Sequence, residues 1–206
     1  MFINTARNEI IFKIVYYGPG LGGKTANLLY IYEHIDPRLR GELISLRTRE
    51  ERTLFFDFLR LEVGRIKQLR PRFNVYTTPG QVYYGSSRRI VLEGVDGIVF
   101  VADSQRERLS DNLASMAELE EYLIGRGTTL AEFPWVMQYN KRDLPNVLPV
   151  PILQEKLNFC NVPFFEAVAP QGIGVFESLR ACINSVVAHV QRGEPRSAAY
   201  ATHGVR

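Results

Sequence analysis

The sequence predicts an α/β fold: a mostly parallel central sheet with one antiparallel edge strand and helices on both faces. Three observations predict it. Short apolar, β-rich runs alternate with segments of helical periodicity along the chain. Residues 97–102, GIVFVA, are almost continuously apolar, as a strand covered on both sides requires. Residues 53–61 (TLFFDFLRL) and 72–77 (RFNVYT) flank a turn at Val63-Gly64-Arg65, which predicts an antiparallel pair.

The elements follow in order. Residues 9–17 (EIIFKIVYY) predict the first strand, and Ala26-Asn27-Leu28-Leu29-Tyr30-Ile31-Tyr32 the first helix. Asp36-Pro37-Arg38 and Gly41 mark a loop. After the hairpin and the apolar strand, residues 109–124 have helical spacing, with Leu113, Met116, Leu119 and Leu123 on one side. Residues 135–139 predict a strand, 149–158 a short helix and 162–166 a short strand. Residues 175–190 form a closing helix with Phe176, Leu179, Ile183, Val186, Val187 and Val190 as its apolar stripe. Residues 193–206 lack apolar periodicity and read as a flexible tail behind one domain of residues 1–192.

The composition narrows the function classes. The 206 residues are 46% hydrophobic, enough for a proper core in one α/β domain. A net charge of only +3 implies no strong field toward nucleic acid or membrane. Cys160 and Cys182 have no metal-type spacing and suit a reducing cytoplasm. No signal peptide, membrane-spanning run or lipid-anchor motif is legible, so the expectation is a cytoplasmic, monomeric domain without an integral membrane segment.

Residues 18–25, GPGLGGKT, match the Gly-x-x-x-x-Gly-Lys-Thr phosphate loop and lie between the first strand and first helix. Glycines let backbone N–H groups turn inward around a β-phosphate at the positive end of the following helix. The candidate phosphate-binding positions are Gly18, Gly20, Leu21, Gly22, Gly23, Lys24, Thr25 and Ala26. Lys24 is placed to bridge β- and γ-phosphates, and Thr25 to offer its hydroxyl to Mg²⁺.

Asn140-Lys141-Arg142-Asp143 follows a strand directly, at the sheet edge where ligands bind in such folds. The Asp143 carboxylate can accept from N1–H and the exocyclic amine of guanine, whereas adenine offers no such donor pair there. Lys141 can lay its stem over the purine, and Asn140 can tie this loop to the phosphate loop. Val168 and Ala169, in Glu166-Ala167-Val168-Ala169-Pro170, let backbone approach the base, with the Ala169 N–H aimed at guanine O6.

With these motifs in place, the chain resembles the Ras-superfamily small GTPases, and more narrowly the bacterial MglA group of polarity and gliding-motility GTPases. The matching stretches are KIVYYGPGL-GKT, RTLFFDF, RFNVYTTPGQVYY, VDGIVFVADS, QYNKRDLPN and AVAP-G-GVF, over about residues 2–192. The resemblance implies the P-loop small GTPase fold and a switch that binds GTP or GDP with Mg²⁺ and hydrolyses GTP. It implies that Gln81 orients the attacking water and that the Gly80 N–H contacts the γ-phosphate. Thr53 would close over Mg²⁺ and the γ-phosphate, and Arg52 would act as an internal arginine finger near the β–γ bridge. Gly20 would line the γ-phosphate pocket. The usual Mg²⁺-shell Asp is replaced by Thr77, a loss the group shares, and Asp57 is a candidate substitute. Asp103 ends a strand, but family position gives it no phosphate role. The implied partners are a Roadblock-domain activating protein of the MglB type and GTP-dependent effectors at a cell pole. Two readings compete: a guanine-nucleotide scaffold with negligible turnover, and a P-loop kinase or ATPase, which Asn140-Lys141-x-Asp143 opposes.

Overall fold

Strands and helices alternate along the described residues apart from two runs of successive strands. The computed structural model describes residues 1–4, 7–47, 53–62, 69–79 and 85–192, with backbone alone for 45–47, 53–58, 62 and 85–87. Among them run β1 (Phe2–Asn4), β2 (Glu9–Tyr17), α1 (Lys24–His34), β3 (Ile44–Arg47), β4 (Thr53–Glu62) and β5 (Arg70–Thr77). Then come α2 (Gly85–Leu92), β6 (Gly97–Asp103), α3 (Leu109–Ile124), β7 (Trp135–Asn140), α4 (Val150–Leu157), β8 (Phe164–Glu166) and α5 (Val175–Gln191).

The strands form one sheet in the order β3-β4-β5-β2-β6-β7-β8. From β5 to β8 every pairing is parallel. β4 runs antiparallel to β5, as the hairpin pattern predicts, and β3 extends that edge antiparallel to β4. β1 adds an antiparallel pairing along the start of β2. β1 and β3 carry no pattern distinct enough to read from sequence; each is held by its ladder to a longer neighbour. The turn at 63–65 and the tail from 193 lie outside the described residues.

Strand alternation sorts the side chains into two cores. Ile10, Phe12, Ile14 and Tyr16 of β2 pack with α1 and α5, whereas Val15 and Tyr17 pack with α2, α3 and α4. β6 does the same with Val99 and Val101 on one face and Ile98, Phe100 and Ala102 on the other. This double coverage is why its sequence is continuously apolar.

Two helix faces differ from their predicted stripes. On α3, Met116, Leu119 and Leu123 are buried, but Leu113 is 41% exposed and Asn112 is buried in its place. Asn112 is turned inward because its amide brackets the end of β6: Oδ1 accepts from Asp103 N (2.9 Å) and Nδ2 donates to Asp103 O (2.8 Å). On α5 the fully covered line is Val175, Leu179, Cys182 and Val186, with Phe176, Ile183, Val187 and Val190 on its flanks. Burial pushes the Cys182 thiol well above its ordinary range, so it behaves as a small apolar group. No helix among the described residues is long and apolar enough to cross a membrane.

α5 meets β6 at Gly97, where an added Cβ would lie 2.4 Å from Val186 Cγ2 and 3.0 Å from Cys182 Sγ. Gly97→Val is therefore expected to destabilise the fold by about 1–3 kcal/mol through overpacking, read as a lowered urea midpoint.

Candidate functional site

The phosphate loop, Thr77, Asp103, Asn140 and Val168-Ala169 stand at one edge of the sheet, because β2, β5, β6, β7 and β8 are parallel and each of these residues ends or follows one of those strands. The phosphate loop leaves β2, Thr77 ends β5, Asp103 ends β6 and Asn140 ends β7. Val168 and Ala169 follow β8 and enter a 3-10 turn at Ala169–Gln171.

Loop 18–25 is shaped by close backbone approach. A Cβ at Gly18, whose φ is +131°, would lie 2.3 Å from Val101 O on β6, so only glycine fits. Gly22 N donates to Pro19 O (3.3 Å), closing a tight turn. Lys24 is buried, and its Nζ donates to Gly18 O (2.9 Å) and Pro19 O (2.6 Å), so the ammonium is held inside the loop it serves. Gly23 starts α1 in a left-handed conformation, with no side-chain cap and no acid in the first turn. The helix thus presents uncapped N–H groups and a buried cation, a donor set suited to a phosphate.

Asn140 joins the two loops. Its Nδ2 donates to Gly22 O (2.8 Å), and its Oδ1 accepts from Ala169 N (3.0 Å). The Ala169 N–H is thereby engaged by protein, so the O6 contact expected of it requires Asn140 to share that donor. Gly23 makes room for this amide; a Cβ there would stand 2.1 Å from Asn140 Nδ2. Asp143 is exposed at the rim, open to a base.

Lys141 holds φ +65°, a left-handed conformation unfavourable for a non-glycine residue. Its Nζ donates to Asp103 Oδ2 (2.6 Å), and that carboxylate is fully buried. Asp103 is thus an orienting group for the candidate purine-covering lysine, which its family position did not suggest. The signal available in the sequence was an acid ending an otherwise apolar strand.

A second contribution missed from sequence lies behind the loops. Asn27 on α1 and Gln138 on β7 exchange reciprocal amide bonds, both 2.9 Å. Gln138 Nε2 also donates to Ser178 Oγ (2.7 Å) on α5, and Asn27 Nδ2 to Gly23 O (3.0 Å). All three side chains are fully buried. The network ties the phosphate-loop helix to the strand that carries Asn140.

Ala26 packs beside the core, and Thr25 opens α1 half-buried. Gly20 and Leu21 form the loop tip, with Leu21 76% exposed. Thr53 and Asp57 lie on β4, opposite Arg47 and Ser45 of β3, and their side chains are outside the described residues. Arg52, Gly80 and Gln81 also lie outside the described residues. Thr77, where an acid is usual, is fully buried. Among the described residues no cluster of His, Cys, Asp or Glu could by itself hold a metal ion. A Mg²⁺ held by the Thr25 hydroxyl and phosphate oxygens is still compatible with this donor set.

No protein-family model matches the chain. It is 51% identical over 192 residues to the mutual gliding-motility protein MglA of Myxococcus xanthus (strain DK1622), an alignment covering 93% of this chain and 98% of that protein. It is 23% identical over 195 residues to the Ypt/Rab-type GTPase avaA of Emericella nidulans, covering 92% and 89% of the two chains. With the Ras-related protein Rab7 of Pisum sativum it shares 26% identity over 181 residues, 85% of this chain and 82% of the relative.

Asn27→Leu alone would leave the buried Gln138 Oε1 without its donor, and Gln138→Met alone would leave Asn27 Oδ1 without its donor. Each single variant should lose about 1–3 kcal/mol, and the double variant clearly less than their sum. A double-mutant cycle by denaturant unfolding measures this; strict additivity would mean the two amides act independently.

Proposed function

The chain belongs to the MglA group of Ras-superfamily small GTPases, and we propose that it is a switch that binds GDP or GTP with Mg²⁺ and hydrolyses GTP. The observation that carries this reading is the Asn140 amide, bonded to the phosphate loop at Gly22 and to the base loop at Ala169. This pair of bonds supports a reading in which a phosphate cradle and Asp143, the candidate guanine-selective carboxylate, act side by side.

In this mechanism Lys24 leaves its loop carbonyls for the β- and γ-phosphate oxygens, neutralising charge that grows in the transition state. The Lys141 stem covers the purine while Asp103 holds its ammonium. Asp143 accepts from the two guanine donors. Thr25, with Thr53 and Asp57 as further candidates, would hold Mg²⁺, which when bound supplies positive charge to the β- and γ-phosphates. Gln81 orients water, Arg52 offers a guanidinium to the developing charge, and the Gly80 N–H senses the γ-phosphate. In cells we expect the GTP state to bind effectors at a pole, controlling polarity or gliding motility, until a Roadblock-domain activating protein of the MglB type stimulates hydrolysis. The motility role is taken over from the relative named for it.

A loaded scaffold that scarcely turns over is the second reading, favoured by buried Thr77 where an acid is usual. Turnover separates the two. Purified protein with Mg²⁺ is expected to hydrolyse GTP and not ATP, and Arg52→Ala to bind GTP while losing at least about a hundredfold in rate. Bound GTP with no turnover, even with the activating partner, would favour the scaffold.

Base recognition has its own test. Asn at position 143 would present an N–H toward the purine 2-position, where guanine has a donor and xanthine a carbonyl. Asp143→Asn should weaken GTP binding by about a hundredfold or more and strengthen xanthosine triphosphate binding, measured by competition against a fluorescent nucleotide.

A further inference from the structure

Pro19 to Gly22 form a β-turn closed by Gly22 N to Pro19 O (3.3 Å). Leu21 occupies its third position with φ +62°, whereas Gly20 is not in the positive-φ region. That φ pattern is the one a type II turn has, whose third position ordinarily needs glycine. A leucine there favours the type I alternative, reached by rotating the Gly20–Leu21 peptide through about half a turn. The rotation would return Leu21 to an ordinary negative φ, and Gly20 would accept the change in its own ψ. Local preference therefore opposes the turn that the loop adopts.

What opposes the rotation stands just before α3, at its N-cap residue Arg108. Arg108 Nη2 donates to Gly20 O (2.7 Å). The guanidinium is itself fixed by Asp111, bonded to Nη1, and by the buried Asp103 carboxylate 3.8 Å from Nε. In a trans peptide, C=O and N–H point to opposite sides. Holding the Gly20 carbonyl toward Arg108 turns the Leu21 N–H the other way, which on the nucleotide-binding reading is the side of the phosphates. The rotated peptide would instead aim a carbonyl dipole at the phosphates.

We propose that Arg108 is a positioning residue that locks the Gly20–Leu21 peptide in its phosphate-binding orientation against the conformational preference of Leu21. Arg108 belongs to neither the phosphate loop nor the guanine motif. The inference rests on the nucleotide-binding reading above. It assigns α3 a part in that site, since a displacement of the start of α3 would release the carbonyl and weaken nucleotide binding.

The test is fluorescent-GDP affinity and dissociation rate for the full chain with Mg²⁺, comparing wild type, Arg108→Met, Arg108→Lys and Arg108→Met/Leu21→Gly. Arg108→Met should raise Kd about tenfold, as expected for loss of a charge-assisted hydrogen bond. Lys, which can still donate to the carbonyl, should recover most of that loss. Leu21→Gly should also recover most of it, because glycine holds positive φ without the lock. Rescue by glycine separates peptide orientation from general support of the fold, which glycine would not restore. Unchanged affinity in Arg108→Met overturns the proposal, as does a loss that Leu21→Gly leaves in place. If Arg108→Met does not fold, Arg108→Lys and Leu21→Gly alone decide. A dissociation rate within about threefold of wild type in both supports the lock, and a larger increase in either overturns it. Wild type that binds no GDP would overturn the nucleotide-binding reading itself, and the lock with it.

Discussion

The site depends on one side-chain amide. Asn140 donates to a carbonyl of the phosphate loop and accepts from an N–H of the base loop, so two segments far apart in sequence share one rigid partner. The amide is 1% exposed. Removing it would leave a buried carbonyl and a buried N–H without their partner, which is more expensive than the bonds alone suggest. The requirement for glycine at position 23 follows from the same constraint, because any Cβ would occupy the amide's place.

The support behind that amide is polar where the fold could have been apolar. Asn27, Gln138 and Ser178 are fully buried and mutually bonded. Such a network adds little net stability over well-packed hydrocarbon, but it is directional. It fixes the rotation and height of α1 against β7, and therefore the separation of Gly23 from Asn140. Asp103 does comparable work on the other side of the cleft. It holds Lys141 directly and lies near Arg108, whose own bond reaches the loop tip at Gly20. Strain at Leu21 and Lys141, both at positive φ, is concentrated where these partners over-determine the backbone.

Family membership and geometry support each other at different scales. The likeness to MglA of Myxococcus xanthus covers nearly the whole chain, whereas the Rab-type relatives are far more distant. The sheet order, with β2 central and the motifs at the ends of its parallel neighbours, sets the candidate phosphate loop and the candidate guanine motif at one edge of the sheet.

The sequence by itself determined the α/β class and most of its strands and helices, and it named the candidate phosphate loop and the candidate guanine motif. Those features are local: periodicity, glycine placement and short spacings are written in consecutive residues. Tertiary structure decided what depends on pairing across distance. β1 and β3 exist because longer strands offer them ladders. Asn112 displaces Leu113 from the buried face of α3 because the end of β6 needs its amide. The contacts of Asp103, Gln138 and Arg108 with Lys141, Asn27 and Gly20 became legible only once folding set these residues together. A hydrogen bond between residues from different elements leaves no periodic trace in a single chain, and its energy belongs to a geometry that only the packed sheet and helices supply.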